Sequence, residues 1–211
     1  MHKALIKISL ITILALASLP TYAQPEIGDN ELIISAGILS GTEMIGMKKA
    51  HGIYDEAGYN QISHSPNLFF TWRHFIRYKL AIGITAGTQQ MSYQYINSGT
   101  AHDYQNYTTD ARVSTLAIEI KKVYTANVEL KNLEFYLFAG LGARYFQETQ
   151  TPTQPNPTLP LINFNSQWSP ICIKYGNKIN AFVEFGFGYK GLINTGLSFK
   201  FNREKTIVID L

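Results

Sequence analysis

Apolar residues alternate with small or polar residues along most of the chain after residue 31. A period of two is the pattern of β-strands that have two unlike faces. The alternation is weakest at Ser169–Tyr175. The pattern predicts an all-β protein with eight strands, which we place at Leu32–Ser40, Leu68–Arg77, Leu80–Gln90, Arg112–Tyr124, Leu133–Gln147, Ser169–Tyr175, Ala181–Lys190 and Leu192–Phe201.

The predicted connections alternate between long and short. The long ones are Gly41–Ser65, Met91–Ala111 and Glu148–Gln167, and the short ones are Tyr78-Lys79, Asn127–Asn132 and Gly176–Lys178. Short turns at one end and long loops at the other are typical of antiparallel up-and-down barrels in the bacterial outer membrane. Only the last link, at Lys190-Gly191, is short where a long loop is expected.

The two faces of the predicted strands differ in charge. One face is apolar, and His74 is its only titratable residue. The other face is mostly small and neutral, and its few charged residues are Arg73, Arg77, Glu119, Lys121, Arg144, Glu184, Lys190 and Lys200. A surface in water usually carries roughly 25–35% charged residues, whereas small side chains suit the interior of a narrow eight-stranded barrel. We therefore predict that the apolar face points outward, into lipid.

Aromatic residues cluster near the ends of the apolar face, at Phe135, Tyr145, Tyr189, Phe199 and Phe201. Such residues form girdles at the two membrane interfaces of transmembrane β-barrels. Their positions favour the lipid-facing interpretation and predict that these five side chains point outward.

The run AFVEFGFGYKGLINTGLSFKF, Ala181–Phe201, resembles the closing hairpin of the small outer-membrane β-barrel family, which is OmpA/OmpX-like in architecture. Phe135–Tyr145 is similar to a middle strand of that family. The resemblance is one of pattern rather than motif, and it implies an eight-stranded transmembrane barrel.

One feature departs from the family. Such barrels usually end on an aromatic residue, but here Asn202–Leu211 follows Phe201. Two alternatives stay open: a barrel that closes at Phe201 and carries a tail, or a last strand that includes Thr206–Leu211. The choice between eight and ten strands stays open with them.

The start of the chain predicts export. Lys3 and Lys7 precede an uncharged, mostly apolar run at Ile8–Leu19, and Pro20–Ala23 offers a small-residue cleavage site. These are the three parts of a cleaved signal peptide. The apolar run is shorter than the roughly 20 residues that a transmembrane helix needs. We predict a signal peptide at 1–23 and a single barrel domain at 24–211, located in the outer membrane.

Composition narrows the class of protein further. Charged residues make up 16% of the chain, below the average of about 25% for soluble domains. The 18 basic and 15 acidic residues form no basic run, so we expect no nucleic-acid partner. Cys172 is the single cysteine, which excludes an internal disulfide, and we expect a packed, inert thiol.

The inward charges form the principal candidate site. We predict that Arg73, Arg77, Glu119, Arg144 and Glu184 make a structural polar network in the lumen, because buried charges need partners. The alternative is an ion path or gate. We favour a plug, since eight strands leave too little room for an aqueous channel.

Catalytic, metal and cofactor sites find little support in the sequence. His64-Ser65 raises the alternative of a lipid-modifying outer-membrane enzyme, but the last four predicted strands contain no histidine that could complete a triad. The loop residues His51, His64, His102, Asp55, Glu56 and Asp103 match no metal-ligand spacing. We predict no catalytic residue, no metal and no cofactor.

These observations favour a non-enzymatic, monomeric outer-membrane barrel with an envelope-structural role or a surface-binding role through its long loops. Its expected partners are outer-membrane lipid and, at the loops, a protein or surface ligand. The second long loop is rich in tyrosine, at Tyr93, Tyr95, Tyr104 and Tyr107. This composition suits a recognition surface or a rigid hairpin extension equally well.

A soluble periplasmic barrel that binds a small apolar ligand, like a lipocalin, is the main alternative. In that protein the apolar face of the strands would point inward and the polar face outward. Its cavity would be lined by Leu137, Leu141, Phe185 and Leu197, and its surface would carry Arg144 and Glu184.

Overall fold

The computed structural model describes residues 27–40, 59–98, 104–124, 132–151 and 161–201. The predicted signal peptide, the loop residues His51, Asp55, Glu56, His102 and Asp103, and the tail after Phe201 lie outside the described residues. Within the described ranges, no helix is long and apolar enough to cross a membrane.

The described residues form nine strands. They are β1 (Asn30–Ile38), β2 (Tyr59–His64), β3 (Asn67–Arg77), β4 (Leu80–Ser98), β5 (Tyr104–Val123), β6 (Leu133–Thr151), β7 (Leu161–Gly176), β8 (Ile179–Gly188) and β9 (Ile193–Phe201).

Eight of these strands close into a barrel. Each strand from β3 to β9 pairs antiparallel with its neighbour in sequence, and β1 pairs antiparallel with both β3 and β9. The predicted eight-stranded antiparallel up-and-down β-barrel is therefore confirmed. The additional strand, β2, continues β3 past a break at Ser65-Pro66 and pairs with the far half of β4.

The two ends of the barrel differ. At one end, called the turn end, Asn30 pairs with Phe201 and the strands are joined by Tyr78-Lys79 and Gly176–Lys178. At the other end, called the loop end, the described strands β4 to β7 extend well beyond Ile38, where β1 ends. The first residue of β1 and the last residue of β9 thus both lie at the turn end, as an even number of antiparallel strands requires.

The long hairpin of β4 and β5 is more regular than predicted. Its pairing continues to Ser98 opposite Tyr104, so most of the segment predicted as a loop, Met91–Ala111, is strand. The prediction of a loop there was wrong because both faces of this extension are polar or mixed. A strand without one apolar face shows no period-two pattern.

Strand β7 also begins earlier than predicted, at Leu161, and it contains Pro170. The pairing of β7 with β8 is irregular between Trp168 and Ile171, which places the proline in a bulge. Proline has no N–H to donate to a ladder, so a bulge is where a paired strand tolerates it.

The apolar face points outward and the polar face inward, as predicted. The prediction that His74 is the only titratable residue of the apolar face was wrong, because Arg112 and Lys122 lie exposed on that face near the two ends of the β5 apolar stretch. Leu141, Ile118 and Phe187 are 74%, 68% and 67% exposed, and apolar side chains surround the outside of the barrel in the same way. The inward residues on these strands are buried, and they include charged groups such as Glu119 and Glu184. The barrel thus has an apolar exterior and a mixed interior. In the interior, charged groups lie beside a buried cluster formed by Phe75, Ala81, Val123, Tyr136, Phe138 and Cys172.

Candidate functional site

The lumen contains a network of buried charges. Nine side chains take part in the ion pairs described: the basic residues Arg73, Lys121, Lys174, Lys190 and Lys200, and the acidic residues Glu31, Glu119, Glu134 and Glu184. They come from seven strands of the barrel and from the link between β8 and β9. The side chains on the strands converge because their Cα–Cβ bonds share the inward direction of the strand pleat.

Glu119 is the centre of the half of the network nearer the loop end. Its carboxylate lies 2.8 Å from Nη2 of Arg73 and 2.6 Å from Nζ of Lys190. The hydroxyl of Tyr189 donates a third contact at 2.9 Å. With two cations and a phenol around it, this fully buried carboxylate has the partners that an ionised group needs away from water.

Glu184 completes this half of the network. It accepts hydrogen bonds from Tyr136 at 2.8 Å and from Asn194 at 2.6 Å, and Nη2 of Arg73 lies 3.4 Å away. Arg73 therefore bridges two carboxylates, and its guanidinium also lies 5.1 Å from the ring of Phe138. A planar guanidinium can serve both kinds of contact at once.

The half nearer the turn end is built around two glutamates. Glu31 lies 2.6 Å from Lys174 and 3.2 Å from Lys121. Glu134 lies 2.7 Å from Lys121, 2.9 Å from Lys174 and 2.9 Å from Lys200. Lys121 and Lys174 thus contact both carboxylates, and opposite charges alternate across the lumen.

The link between β8 and β9 enters the barrel from the loop end. Gly188 ends β8 with a φ of 134°, a conformation that residues with a Cβ rarely adopt, and the chain then turns inward. Tyr189 and Lys190 are buried at 1% and 0% exposure, and the Tyr189 carbonyl accepts a hydrogen bond from Asn67 at 2.5 Å. This turn covers the network on that side.

The inward turn corrects one prediction. Tyr189 is not part of an outward girdle, because its ring packs against Phe69 inside the barrel with centroids 5.9 Å apart. Phe135, Tyr145, Phe199 and Phe201 lie on the outward side as expected. The alternation of β8 predicted the wrong side because it assumed that the strand continues through Gly188 and Gly191.

The structure brings together three of the five residues predicted for the lumen network: Arg73, Glu119 and Glu184. The prediction that Arg77 points into the lumen was wrong. Arg77 is exposed at the turn end, because the pairing of β3 with β4 shifts between Phe75 and Arg77. Arg144 is buried closer to the loop end, with its guanidinium 5.5 Å from the ring of Phe146.

Three members of the network were missed by the sequence analysis: Glu31, Glu134 and Lys174. The signal was present in each case. Glu134 and Lys174 occupy inward positions of strands that were predicted, and Glu31 lies one residue before the predicted start of β1. Extending the period-two count across whole strands finds all three.

At the loop end, an open cavity of about 640 Å³ lies beside β2, β4, β5 and β6. Its volume is in the range of small-molecule sites. Most of its lining residues carry hydroxyl, amide or charged groups, and they include Ser63, His64, Gln90, Asp110, Arg112 and Gln147. These groups suit a polar, hydrogen-bonding ligand rather than an apolar one.

Ser65 has a structural role at this cavity. Its Oγ accepts a hydrogen bond from the backbone N–H of Gln90 at 3.0 Å and lies within donating distance, 3.2 Å, of the carbonyl of Pro66. These contacts join the break between β2 and β3 to β4. A nucleophilic serine instead needs its hydroxyl directed at a general base and a substrate.

Other candidate chemistry is sparse in the described residues. Cys172 is buried, with its Sγ 3.5 Å from the carbonyl oxygen of Ser169. Within the same ranges, no three His, Cys, Asp or Glu side chains are grouped to hold a metal ion.

Comparisons with models of known protein families and with curated proteins find no match for this chain. The arguments for its function therefore depend on its own residues.

Proposed function

We propose that the protein is a non-enzymatic outer-membrane β-barrel, OmpA/OmpX-like in architecture, exported by a signal peptide at 1–23. In this proposal lipid surrounds a monomeric barrel, the charge network makes it rigid, and the loop end faces the outside of the cell. Its role is structural in the envelope or lies in binding a surface ligand or protein at the loop end.

The height of the apolar band carries this proposal. On the outward face of β5, Arg112 and Lys122 are exposed and ten positions apart, and Leu116, Ile118 and Ile120 lie between them. A strand rises about 3.4 Å per residue and is tilted by roughly 40° in such barrels, so the two charges are separated by about 25 Å along the barrel axis. The apolar band of outer-membrane barrels is also about 25 Å tall.

The extent of exposed apolar surface supports the same conclusion. Large exposed side chains occur on all eight barrel strands, for example Ile34, Phe70, Ile84 and Phe164. Soluble monomers rarely expose contiguous apolar patches of more than a few hundred Å². A lipid environment removes this surface from water and explains why it persists around the circumference.

The soluble carrier is less well supported, because it requires the opposite placement of residues. Leu141 and Phe185, which would line its cavity, are 74% and 42% exposed. Glu184 and Arg144, which would lie on its surface, are 1% and 7% exposed. In the described part of the barrel, ion pairs fill the space where an apolar ligand would bind.

The loop end supports the binding role. The paired extension of β4 and β5 projects there, and the polar cavity of about 640 Å³ opens beside it. Since hydroxyl, amide and charged groups line this cavity, the ligand expected is polar. The engaged hydroxyl of Ser65 favours binding over catalysis.

The first experiment is to fractionate expressing cells and to run the outer membrane on a detergent gel with and without boiling. We expect the protein in the outer-membrane fraction and a mobility shift on boiling, since a closed barrel with a buried charge network resists detergent until it is heated. A soluble periplasmic protein without a shift would contradict the proposal. Extraction of a bound apolar ligand would then be the next step.

A further inference from the structure

Among the residues that the structure describes, the exposed charges at the turn end are all basic. Arg77, Lys122 and Lys178 are exposed and Lys79 is half-buried. The described acidic residues near this end are instead buried: Asp29, Glu31 and Glu134 are 5%, 0% and 8% exposed. In the part of the chain that the structure describes, the outside of the turn end therefore carries only positive charge.

Three exposed tyrosines accompany these basic residues. Tyr78, Tyr124 and Tyr175 are 52%, 54% and 49% exposed. Nζ of Lys79 lies 5.1 Å from the ring of Tyr78, and Tyr124 follows Lys122 on the outward face of the same sheet. We call this set the turn-end rim, and it comprises Arg77, Tyr78, Lys79, Lys122, Tyr124, Tyr175 and Lys178.

We propose that the turn-end rim binds anionic phospholipid headgroups of the leaflet on the turn-end side. This inference rests on the proposed function, since it requires the barrel to span a bilayer. Tyrosine is enriched where a membrane meets water, and basic residues there attract anionic lipids. The partner is thus a phospholipid with net negative charge, such as phosphatidylglycerol, rather than a zwitterionic one.

Position identifies lipid as the occupant. Lys122 lies two residues beyond Ile120, which is 48% exposed on the same outward face of β5. A bilayer that covers Ile120 places its headgroups beside Lys122, because successive outward residues on a strand are about 7 Å apart. The rim is thus continuous with the apolar band.

The loop end supplies the matched contrast. Its exposed basic residue on β5, Arg112, lies two positions from the exposed acid Asp110 on the same side of the strand. The local charges cancel, so the loop end lacks the one-sided charge of the rim in this region. Selectivity for anionic lipid should therefore arise at the turn end.

The test is lipid selectivity of the full-length barrel in phosphatidylcholine vesicles, measured by electron spin resonance with spin-labelled phosphatidylglycerol or phosphatidylcholine. We expect the wild-type protein to prefer phosphatidylglycerol about two- to fivefold at low salt, with loss of the preference at 1 M salt, where charges are screened within about 3 Å. The triple variant Arg77→Gln, Lys122→Gln, Lys178→Gln should show a ratio near one. The charge-conserving triple variant Arg77→Lys, Lys122→Arg, Lys178→Arg should restore the wild-type ratio.

Equal association of the two lipids with the wild-type protein at low salt would overturn the inference, as would a preference that survives in the glutamine triple variant. The salt series uses the wild-type chain alone, so it decides the question even if the glutamine triple variant does not fold. Failure of the wild-type protein to insert and to show a heat-dependent gel shift would instead overturn the proposed function.

Discussion

At the scale of single residues, the interior depends on complete pairing of buried charges. Glu119 is 1% exposed, and its carboxylate forms ion pairs with Arg73 and Lys190 and accepts a hydrogen bond from Tyr189. A buried ion pair adds little stability compared with an apolar pair, but loss of one partner leaves an uncompensated charge. The stability of the barrel is therefore most sensitive to changes that remove one charge and leave its partners in place.

We expect Glu119→Gln to lower the free energy of unfolding by about 3–5 kcal/mol, because Arg73 and Lys190 then lose their shared counter-charge in a buried site. Urea unfolding of the refolded barrel in detergent micelles measures this. The matched control is Asp110→Asn, which removes an exposed acid from the same strand. The control should change stability by at most about 0.5 kcal/mol. Equal effects of the two changes would contradict the importance of the network.

At the scale of elements, each strand separates two environments. β6 places Gly140 and Arg144 on the inside and Leu141 and Tyr145 on the outside. The close approach of Tyr189 to Gly140 leaves no room for a Cβ at that position, so the small inward residue is needed where the inserted turn packs. One strand thus contributes apolar side chains to the outside of the barrel and a charged side chain to its interior.

Leu141→Arg tests the environment of the outward face. An arginine at the centre of the lipid face costs about 2–4 kcal/mol, so we expect loss of outer-membrane assembly, measured by the heat-dependent gel shift of the membrane fraction. Gln147→Arg is the control, since this exposed outward position on the same strand lies beyond the apolar residues. Normal assembly of Leu141→Arg would count heavily against a lipid-facing band.

The junction of β2 and β3 is a second feature at this scale. The backbone N–H of Ser65 donates a hydrogen bond to the carbonyl of Gln90, and the Ser65 hydroxyl accepts a second one from the backbone N–H of the same residue. These bonds hold β2 in register on β4 although Pro66 interrupts the strand. The junction forms one wall of the loop-end cavity.

Ser65→Ala should loosen β2 while the barrel stays intact. Removal of one hydrogen bond to the backbone costs about 0.5–1.5 kcal/mol, so we expect faster hydrogen exchange in 59–64 and an unchanged gel shift. The control is Ser114→Ala, on β5 outside this junction. Unchanged exchange in β2 would show that its backbone pairing is sufficient.

At the scale of the whole molecule, closure of the sheet and filling of the lumen go together. Eight strands enclose a space that side chains just fill. Here the filling includes five basic and four acidic side chains, one of them Lys190 of the inserted turn, together with buried aromatic side chains such as Phe75 and Phe138. This arrangement favours a rigid anchor over a channel.

We expect no stepwise ion conductance from the wild-type protein in planar bilayers, because no lumen of this size remains open around nine ion-paired side chains. Single-channel recording at neutral pH measures this, and boiled protein in the same detergent is the control. Reproducible conductance steps that boiling abolishes would support the ion-path alternative.

Several features could be predicted from the sequence because they are local. The alternation of apolar and polar residues determines which side chains share a face, and this was sufficient for the barrel class and the outward orientation of residues such as Leu141. It favoured eight strands but left ten open, and pairing of β1 with β9 decided for a barrel of eight. The same reasoning placed Arg73, Glu119 and Glu184 inside. It failed at Met91–Ala111, where neither face of the strands is consistently apolar.

Tertiary structure alone decided which inward charges meet. Lys174 and Glu31 form an ion pair of 2.6 Å although they are 143 positions apart in the chain, and Arg73 and Glu184 are separated by 111. Such partners depend on the register and closure of the barrel, which no short stretch of sequence encodes. The inward turn after Gly188, which buries Tyr189, depends likewise on the space that the other strands leave. Local periodicity therefore determined the wall of the barrel, and closure determined the network inside it.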